Sequence, residues 1–269
     1  MAYRYTRRFV RRIGEHTQSV ALSAGCLLGL CIAGGAQAAD VAKAPPPPFI
    51  APVKTYNTVV FGGFDDRRDS YYGYAGVVSA LNGNIATDGF LVRVMGLYNP
   101  YKYSSTAVVG GTVDGKETAF EAMLGYQKYL PGMTVRLYAG LDYEGHRLSP
   151  DNPFDRNGGD HWGVHVRGEI ESPYYAKGYY NLHASYGSAT QRYWIRGRAG
   201  YNFSGVILGP EGVATGNWVT NEQRIGAFVI FRSPQLLPFE ISFSGGYSKT
   251  DETRGGESAY GTVEVSVAF

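Results

Sequence analysis

The chain has 269 residues, 44% of them hydrophobic and 14% aromatic, with 25 Lys+Arg against 23 Asp+Glu. Five arginines and one glutamate fall in residues 1–38, so the remainder carries 20 bases and 22 acids, a net −2. With no basic excess outside the first segment, a nucleic-acid partner is excluded. Both cysteines, Cys26 and Cys31, also lie there, which leaves the rest without a disulfide framework or a thiolate metal site.

Arg4, Arg7, Arg8, Arg11 and Arg12 form a basic start, followed by an uncharged stretch from Ser19 to Ile32. Ala36-Gln37-Ala38 then supplies the small-x-small pattern of a signal-peptidase site. The expectation is a cleaved secretory signal over 1–38, with Ala36 and Ala38 at the cleavage motif. The apolar run is short for a spanning helix. Ser23-Ala24-Gly25-Cys26 is similar to a lipoprotein site but lacks the leucine three places before the cysteine.

Residues 39–55 read as a periplasmic linker. Pro45 to Pro48 and Pro52 favour an extended polyproline segment that cannot join a sheet.

From 56 to 269 the pattern has period two, broken by Gly, Pro, Asn and Asp, with no sustained helical period. Val135, Leu137, Ala139, Leu141 and Tyr143 oppose Thr134, Arg136, Tyr138, Gly140, Asp142 and Glu144. Trp162, Val164, Val166 and Ile170 oppose His161, His165, Arg167 and Glu169. Tyr193, Ile195, Ala199 and Tyr201 oppose Arg196, Arg198 and Asn202. Phe239, Ile241, Phe243 and Tyr247 oppose Glu240, Ser242 and Ser244, and the final Val263, Val265, Val267 and Phe269 oppose Thr262, Glu264 and Ser266.

The polar face is rich in Arg, Glu, Asp, Tyr, Ser and Gly and poor in Lys. That composition suits an enclosed lumen in which charges pair better than a face turned to bulk water. Tyr71, Tyr72, Tyr74, Tyr126, Tyr129, Tyr174 and Tyr175 cluster near strand ends, where a phenol suits the lipid–water boundary. A sheet that crosses a bilayer must close on itself. The predicted fold is therefore all-β: a transmembrane, antiparallel, up-and-down barrel. Its lipid-facing surface and outer-membrane location follow from that.

Twelve strands are predicted, at roughly 57–66, 70–82, 87–101, 116–129, 132–146, 160–171, 176–187, 190–203, 205–215, 222–232, 237–248 and 258–269. With both ends in the periplasm, the odd-numbered connections face outward and should be the longer ones. Arg147–Gly159, Lys102–Gly115 and Lys249–Glu257 are long, while Asn82-Gly83-Asn84, Pro131-Gly132 and Phe203-Ser204-Gly205 read as tight inner turns. Ten strands is the alternative count, because Gly209-Pro210 weakens the ninth.

Thirteen charges are predicted to face the lumen: Arg93, Glu121, Arg136, Asp142, Glu144, Arg167, Glu169, Arg196, Arg198, Glu211, Arg224, Glu240 and Glu264. Mutual pairing that fills the interior is the expectation, and a selective pore the competing one. Val265, Val267 and Phe269 form an aromatic-ended final strand of the kind read by the barrel assembly machinery, although Gly261 does not stand at the usual offset. His146, His161, His165 and His183 show no spacing to a serine that would mark a nucleophile, so no catalytic residue is assigned. Asp151, Asn152, Asp155, Asn157, Gly158 and Asp160 lack the order of a calcium loop and read as turn formers. No metal or other cofactor is expected.

Several stretches together resemble the cellulose biosynthesis protein BcsS family of alphaproteobacteria. They are Tyr71-Tyr72-Gly73-Tyr74-Ala75-Gly76-Val77-Val78, Asp88-Gly89-Phe90-Leu91-Val92-Arg93 and Ala122-Met123-Leu124-Gly125-Tyr126-Gln127. Asp142-Tyr143-Glu144 with His146 and Leu148-Ser149-Pro150 follow, then Gly200-Tyr201-Asn202-Phe203, Gly209-Pro210-Glu211-Gly212, Ser244-Gly245-Gly246-Tyr247 and Tyr260-Gly261-Thr262. Their order carries the resemblance, from about Val60 to Phe269. It implies a non-catalytic accessory role beside a cellulose synthase, with the cellulose chain and synthase components as partners, and it transfers no catalytic residue. The competing reading is a generic small porin or structural surface barrel.

Overall fold

The computed structural model describes residues 55–233, 239–250 and 256–269. The expected signal segment and all but the last residue of the expected linker lie outside the described residues.

Alternating side chains, with Gly and Asn at the breaks, produce twelve strands and, among the described residues, no helix. They are β1 (Thr58–Arg67), β2 (Ser70–Ala80), β3 (Gly89–Ser104), β4 (Thr112–Leu130), β5 (Met133–Ser149), β6 (Gly159–Glu171), β7 (Gly178–Gly187), β8 (Arg192–Phe203), β9 (Val206–Gly216), β10 (Asn221–Ser233), β11 (Phe239–Thr250) and β12 (Glu257–Ala268). Each pairs antiparallel with its sequence neighbours, and β1 pairs with β12, so the sheet closes. Closure leaves no edge with unpaired backbone groups, the condition for a sheet to cross lipid.

The ten-strand alternative is ruled out, because β9 is hydrogen-bonded to both β8 and β10. Pro210 is accommodated by a local gap: the β8–β9 ladder is interrupted between Arg198↔Glu211 and Tyr201↔Leu208. Pro100 in β3 is treated the same way, where the β2–β3 ladder skips from Ser70↔Tyr101 to Gly73↔Tyr98. A missing N–H is tolerated where one neighbour has moved off.

The connections differ from the sequence expectation in three places. The first outer connection is only Arg68-Asp69, closed by a positive φ at Asp69. The inner β2–β3 connection runs over the eight residues 81–88 rather than a tight Asn82-Gly83-Asn84 turn. The second and third outer loops shrink to 105–111 and 150–158, because β3, β4 and β5 continue beyond their predicted ends. Cross-strand pairing sustains that extension: the β3–β4 ladder reaches Ser104↔Thr112 and the β4–β5 ladder reaches Asp114↔Ser149.

β4 displays the two faces most plainly. Phe120, Ala122, Leu124 and Tyr126 point out and are exposed, while Glu117, Ala119, Glu121, Met123 and Gln127 point in and are buried. Leu124, Leu137, Leu141 and Val164 are each at least 59% exposed, an apolar band that only lipid can cover. Aromatic rings flank it: Phe64, Tyr71, Tyr98, Tyr143, Trp162 and Tyr247 toward the outer end, and Phe90, Tyr126, Tyr201, Phe203 and Phe231 toward the end holding both barrel termini. Tyr143 and Trp162, opposite each other in register, pack at 4.9 Å between centroids. Tyr72 and Tyr74 are corrections to the predicted belt. They share the inward parity of Ser70 and Val78, and Tyr74 donates to Glu264 inside the barrel.

Candidate functional site: the charge-filled lumen

The lumen is built from the inward positions of all twelve strands. Near the periplasmic end two apolar clusters line it. Val78, Ala80, Leu91, Met123 and Tyr138 form one, with Phe61 and Ile85 packed against it. Tyr179, Ile207, Phe228 and Ile230 form the other. Ile85 comes from the β2–β3 connection, which is tied to the wall: Gln127 Nε2 donates to the Ile85 and Thr87 carbonyls at 2.7 and 2.6 Å. The Tyr138 ring lies against Gly125, where a Cβ would come within 2.3 Å of it.

The thirteen charges singled out in the sequence all occupy inward positions, and each has an oppositely charged or imidazole partner. Arg93 Nε meets Glu121 at 3.0 Å. Arg136 lies 3.6 Å from Glu169 and 3.3 Å from Glu171. Arg167 meets Glu169 at 2.7 Å. Arg196 Nη1 sits 2.8 Å from both oxygens of Glu264. Arg198 pairs with Glu211, and with Glu264 at 3.0 Å. Arg224 bridges Asp65 and Glu222, each at 2.7 Å. Glu240 holds Arg232 at 2.5 Å, and Glu144 holds Arg192 at 3.0 Å. Asp142 is the exception in kind: its neighbour is His165, at 3.7 Å.

Sequence reasoning missed Arg67, Glu117, Glu171, Arg192, Glu222, Arg232 and Asp65. Arg67 joins Glu222 at 3.2 Å. The signal for most of them was present. Glu117 shares the parity of Glu121, Glu171 that of Glu169, Arg192 that of Arg196 and Arg198, and Glu222 and Arg232 that of Arg224. Extending each alternation to the strand end finds them.

Ion pairs run across the interior as chords at three heights, each joining strands four apart, a third of the circumference. Arg192 of β8 reaches Glu117 of β4 at 2.7 Å near the outer end. Arg196 of β8 reaches Glu264 of β12 at mid-height. Arg232 of β10 reaches Glu171 of β6 at 3.0 Å near the periplasmic end. Phenols and hydroxyls complete the network. Tyr74 donates to Glu264 at 2.6 Å, Tyr260 to Glu211 at 3.0 Å, and Thr262 to Asp65 at 2.5 Å. Trp194 also points inward, with the Arg196 guanidinium 5.0 Å from its ring centroid. Buried Arg–carboxylate pairs of this kind hold position best where further donors and acceptors share the charge, as Tyr74 and Ser242 do at Glu264.

Above the network, the outer loops are turns. Asn152 Oδ1 accepts from Phe154 N, and Asp155 Oδ1 from Asn157 N. The oxygen-rich loop thus spends part of its oxygens on its own backbone, as turn formers do. The loop and the end of β5 bound an open recess of about 380 Å³, lined by His146, Arg147, Asp151, Asn152 and Asp155 among others. A smaller recess beside it is lined in part by Arg67, Asn99, Tyr101, Glu117 and His146. Among the described residues, no serine or threonine hydroxyl is hydrogen-bonded to a histidine nitrogen.

On the closing strand, Val265, Val267 and Phe269 all face outward, and Phe269 is 58% exposed. The backbone of Phe269 is held by β1: its N donates to Thr58 O, and its carbonyl accepts from Asn57 N, both at 2.8 Å.

A closed antiparallel sheet, apolar outside and ion-paired inside, defines a twelve-stranded outer-membrane β-barrel. Among solved structures it is similar to the COG4313 outer membrane channel from Pseudomonas putida F1. That match has 13% identity over 84% of this chain and all of that one, with a TM-score of 0.51. LpxR from Salmonella typhimurium (12% identity, 79% and 100% coverage, TM-score 0.47) and the KdgM porin (8%, 78% and 99%, 0.42) are also similar. No curated protein matches the chain in sequence. The family model for cellulose biosynthesis protein BcsS matches residues 59–269, and the chain belongs to that family. It is a cellulose-related barrel of the outer membrane.

Proposed function

We propose that this barrel is a non-catalytic accessory of cellulose production or export at the outer membrane, acting from its outer surface rather than as an open conduit. The observation that supports this reading is the set of Arg–carboxylate chords at three heights of the lumen. A glucan passing through would have to break each of them, at a cost of several kcal/mol per uncompensated buried ion. The apolar clusters and the tied-in β2–β3 connection add to the obstruction at the periplasmic end.

The outer end offers what a sugar chain uses. Its loops carry exposed Phe154 and an open recess walled by Asp, Asn and Arg side chains. Aromatic faces stack on sugar rings, and paired polar groups take their hydroxyls. In this reading the emerging cellulose chain is held at the outer loops while cellulose synthase components act on the periplasmic side. The barrel assembly machinery places the protein in the membrane through Val265, Val267 and Phe269.

Deletion of the gene, scored for extracellular cellulose, is the test. Reduced or misplaced cellulose, restored by the intact gene, is the expected result. Unchanged output would overturn the reading. Reconstitution in planar bilayers separates the accessory role from the conduit: silence is expected, and a steady open conductance would favour the porin alternative.

A further inference from the structure

Among the described residues, twelve buried side-chain atoms have no hydrogen-bond partner. One of them is His146 Nε2, on β5 at the outer end of the lumen, in a residue 3% exposed. Buried polar groups are ordinarily satisfied, so this nitrogen calls for a partner. The local charge count has the same shape. Glu117, Asp142 and Glu144 carry three negative charges, and the cation paired with them is Arg192, at 2.7 Å from Glu117 and 3.0 Å from Glu144. Glu121, next along the wall, is matched separately by Arg93. Two negative charges are left over in a buried region.

We infer that Glu117, Glu144 and His146 bind a divalent transition-metal cation of the zinc class at the outer end of the lumen. All three side chains are buried, and one ligand atom from each lies within 4.8 Å of the other two. His146 is 3% exposed, with its free Nε2 3.6 Å from Glu144 Oε2. Its other nitrogen, Nδ1, faces the Tyr101 hydroxyl at 3.2 Å, the outer contact that fixes a metal-binding imidazole in one orientation. Arg192 occupies one oxygen of each carboxylate, so the metal takes the opposite oxygens, now held by Asn99 and Thr190. A charge of +2 neutralises the two negative charges left over among Glu117, Asp142 and Glu144. One imidazole with two carboxylates selects zinc over calcium or magnesium, which take oxygen ligands alone. Entry is from outside, through the recess that Glu117 and His146 help to line. This inference stands apart from the cellulose reading.

The test is titration of the detergent-solubilised, chelator-stripped barrel with Zn²⁺ by calorimetry, with the heat-dependent gel shift as the check on folding. One Zn²⁺ per chain is expected, undisturbed by a hundredfold excess of Ca²⁺. At least tenfold weaker binding is expected in His146→Gln and Glu117→Gln, and unchanged binding in Asp151→Asn/Asp155→Asn. Absence of stoichiometric binding, equal affinity in a folded His146→Gln, or loss only in the loop variant would each overturn the proposal. The zinc-edge absorption spectrum of the unaltered protein decides the matter even if the variants do not fold. One imidazole among oxygen ligands supports the site, and an all-oxygen shell refutes it.

Discussion

Glu264 is the hub of the mid-height network, and its removal should be the most costly single change in the lumen. Its two oxygens receive Arg196, Arg198, Tyr74 and Ser242 at 2.6 to 3.0 Å. In Glu264→Gln, Arg198 retains Glu211, and the amide oxygen still serves one hydroxyl. Arg196 has no second carboxylate at ion-pair distance among the described residues and is left buried and charged. Breaking a buried pair on one side costs about 3–5 kcal/mol. The side chains are 12% and 18% exposed, which places the cost toward the lower figure, about 3 kcal/mol. With a guanidinium m-value of roughly 4 kcal/mol per molar, the unfolding midpoint should fall by about 0.7 M. The assay is equilibrium unfolding in detergent micelles followed by tryptophan emission, to which Trp194, stacked under Arg196, contributes. Arg196→Gln/Glu264→Gln removes both charges and should recover at least about 1.5 kcal/mol relative to the sum of the single variants. A shift below about 0.2 M, or strict additivity in the cycle, would refute the claim that the lumen is held by this pair.

Three further outcomes follow from the two faces of the sheet. Leu124→Arg places a charge in the middle of the lipid belt, where the wild-type side chain is 64% exposed; it should cost about 2–4 kcal/mol in the same unfolding assay. Gly125→Val puts a Cβ 2.3 Å from the Tyr138 ring and 2.7 Å from the Leu137 carbonyl, and should lose at least about 2 kcal/mol. Tyr138→Ala in that background should return part of the loss, and no return would mean that the backbone contact dominates. Phe269→Ala leaves the backbone bonds to β1 in place, so unfolding in detergent should change by less than about 1 kcal/mol, while the amount found in outer membranes should drop severalfold. Equal amounts by immunoblot would count against Phe269 as an assembly signal.

Much of this architecture was legible because a barrel imposes one rule on every strand. Alternation over β5, β6, β8, β11 and β12 was enough to place nine of the thirteen charges at inward positions, and strand ends came within a few residues. The outer ends of β3, β4 and β5 were less legible, because above the lipid both faces are wet. There Asp114, Lys102 and Arg147 read as loop residues although they sit in paired strands. Tyr72 and Tyr74 were misread for a related reason. Tyrosine serves the lipid boundary and the packed lumen equally well, and only the parity shared with Ser70 and Val78 separates the two. Pairing across four strands, as between Arg192 and Glu117, has no signature in sequence distance, because the two are 75 positions apart with three strands intervening.

The length of those strands bears on function. A tilted strand crosses the bilayer in about 9–11 residues, yet β3, β4 and β5 have 16, 19 and 17. The surplus lies on the outer side, since the inner turn after β4 is only Pro131-Gly132. At about 3.3 Å per residue, eight surplus residues of β4 raise a wall of roughly 20 Å above the lipid once tilt is included. Lys102 pairs with Asp114 and Arg147 with Asp160, both at 2.9 Å, on the outward face of that wall. Its inward face carries Tyr101, Tyr103, Glu117 and His146. Tyr103 also receives Asn152 Nδ2 at 3.0 Å, which ties the third outer loop to the wall. A barrel that needed only to fill a hole in the membrane would stop at the aromatic belt. One that raises a hydrogen-bonded wall above it, over a lumen crossed by ion pairs, concentrates its recognisable surface on the outer side, which is where the proposed role needs it.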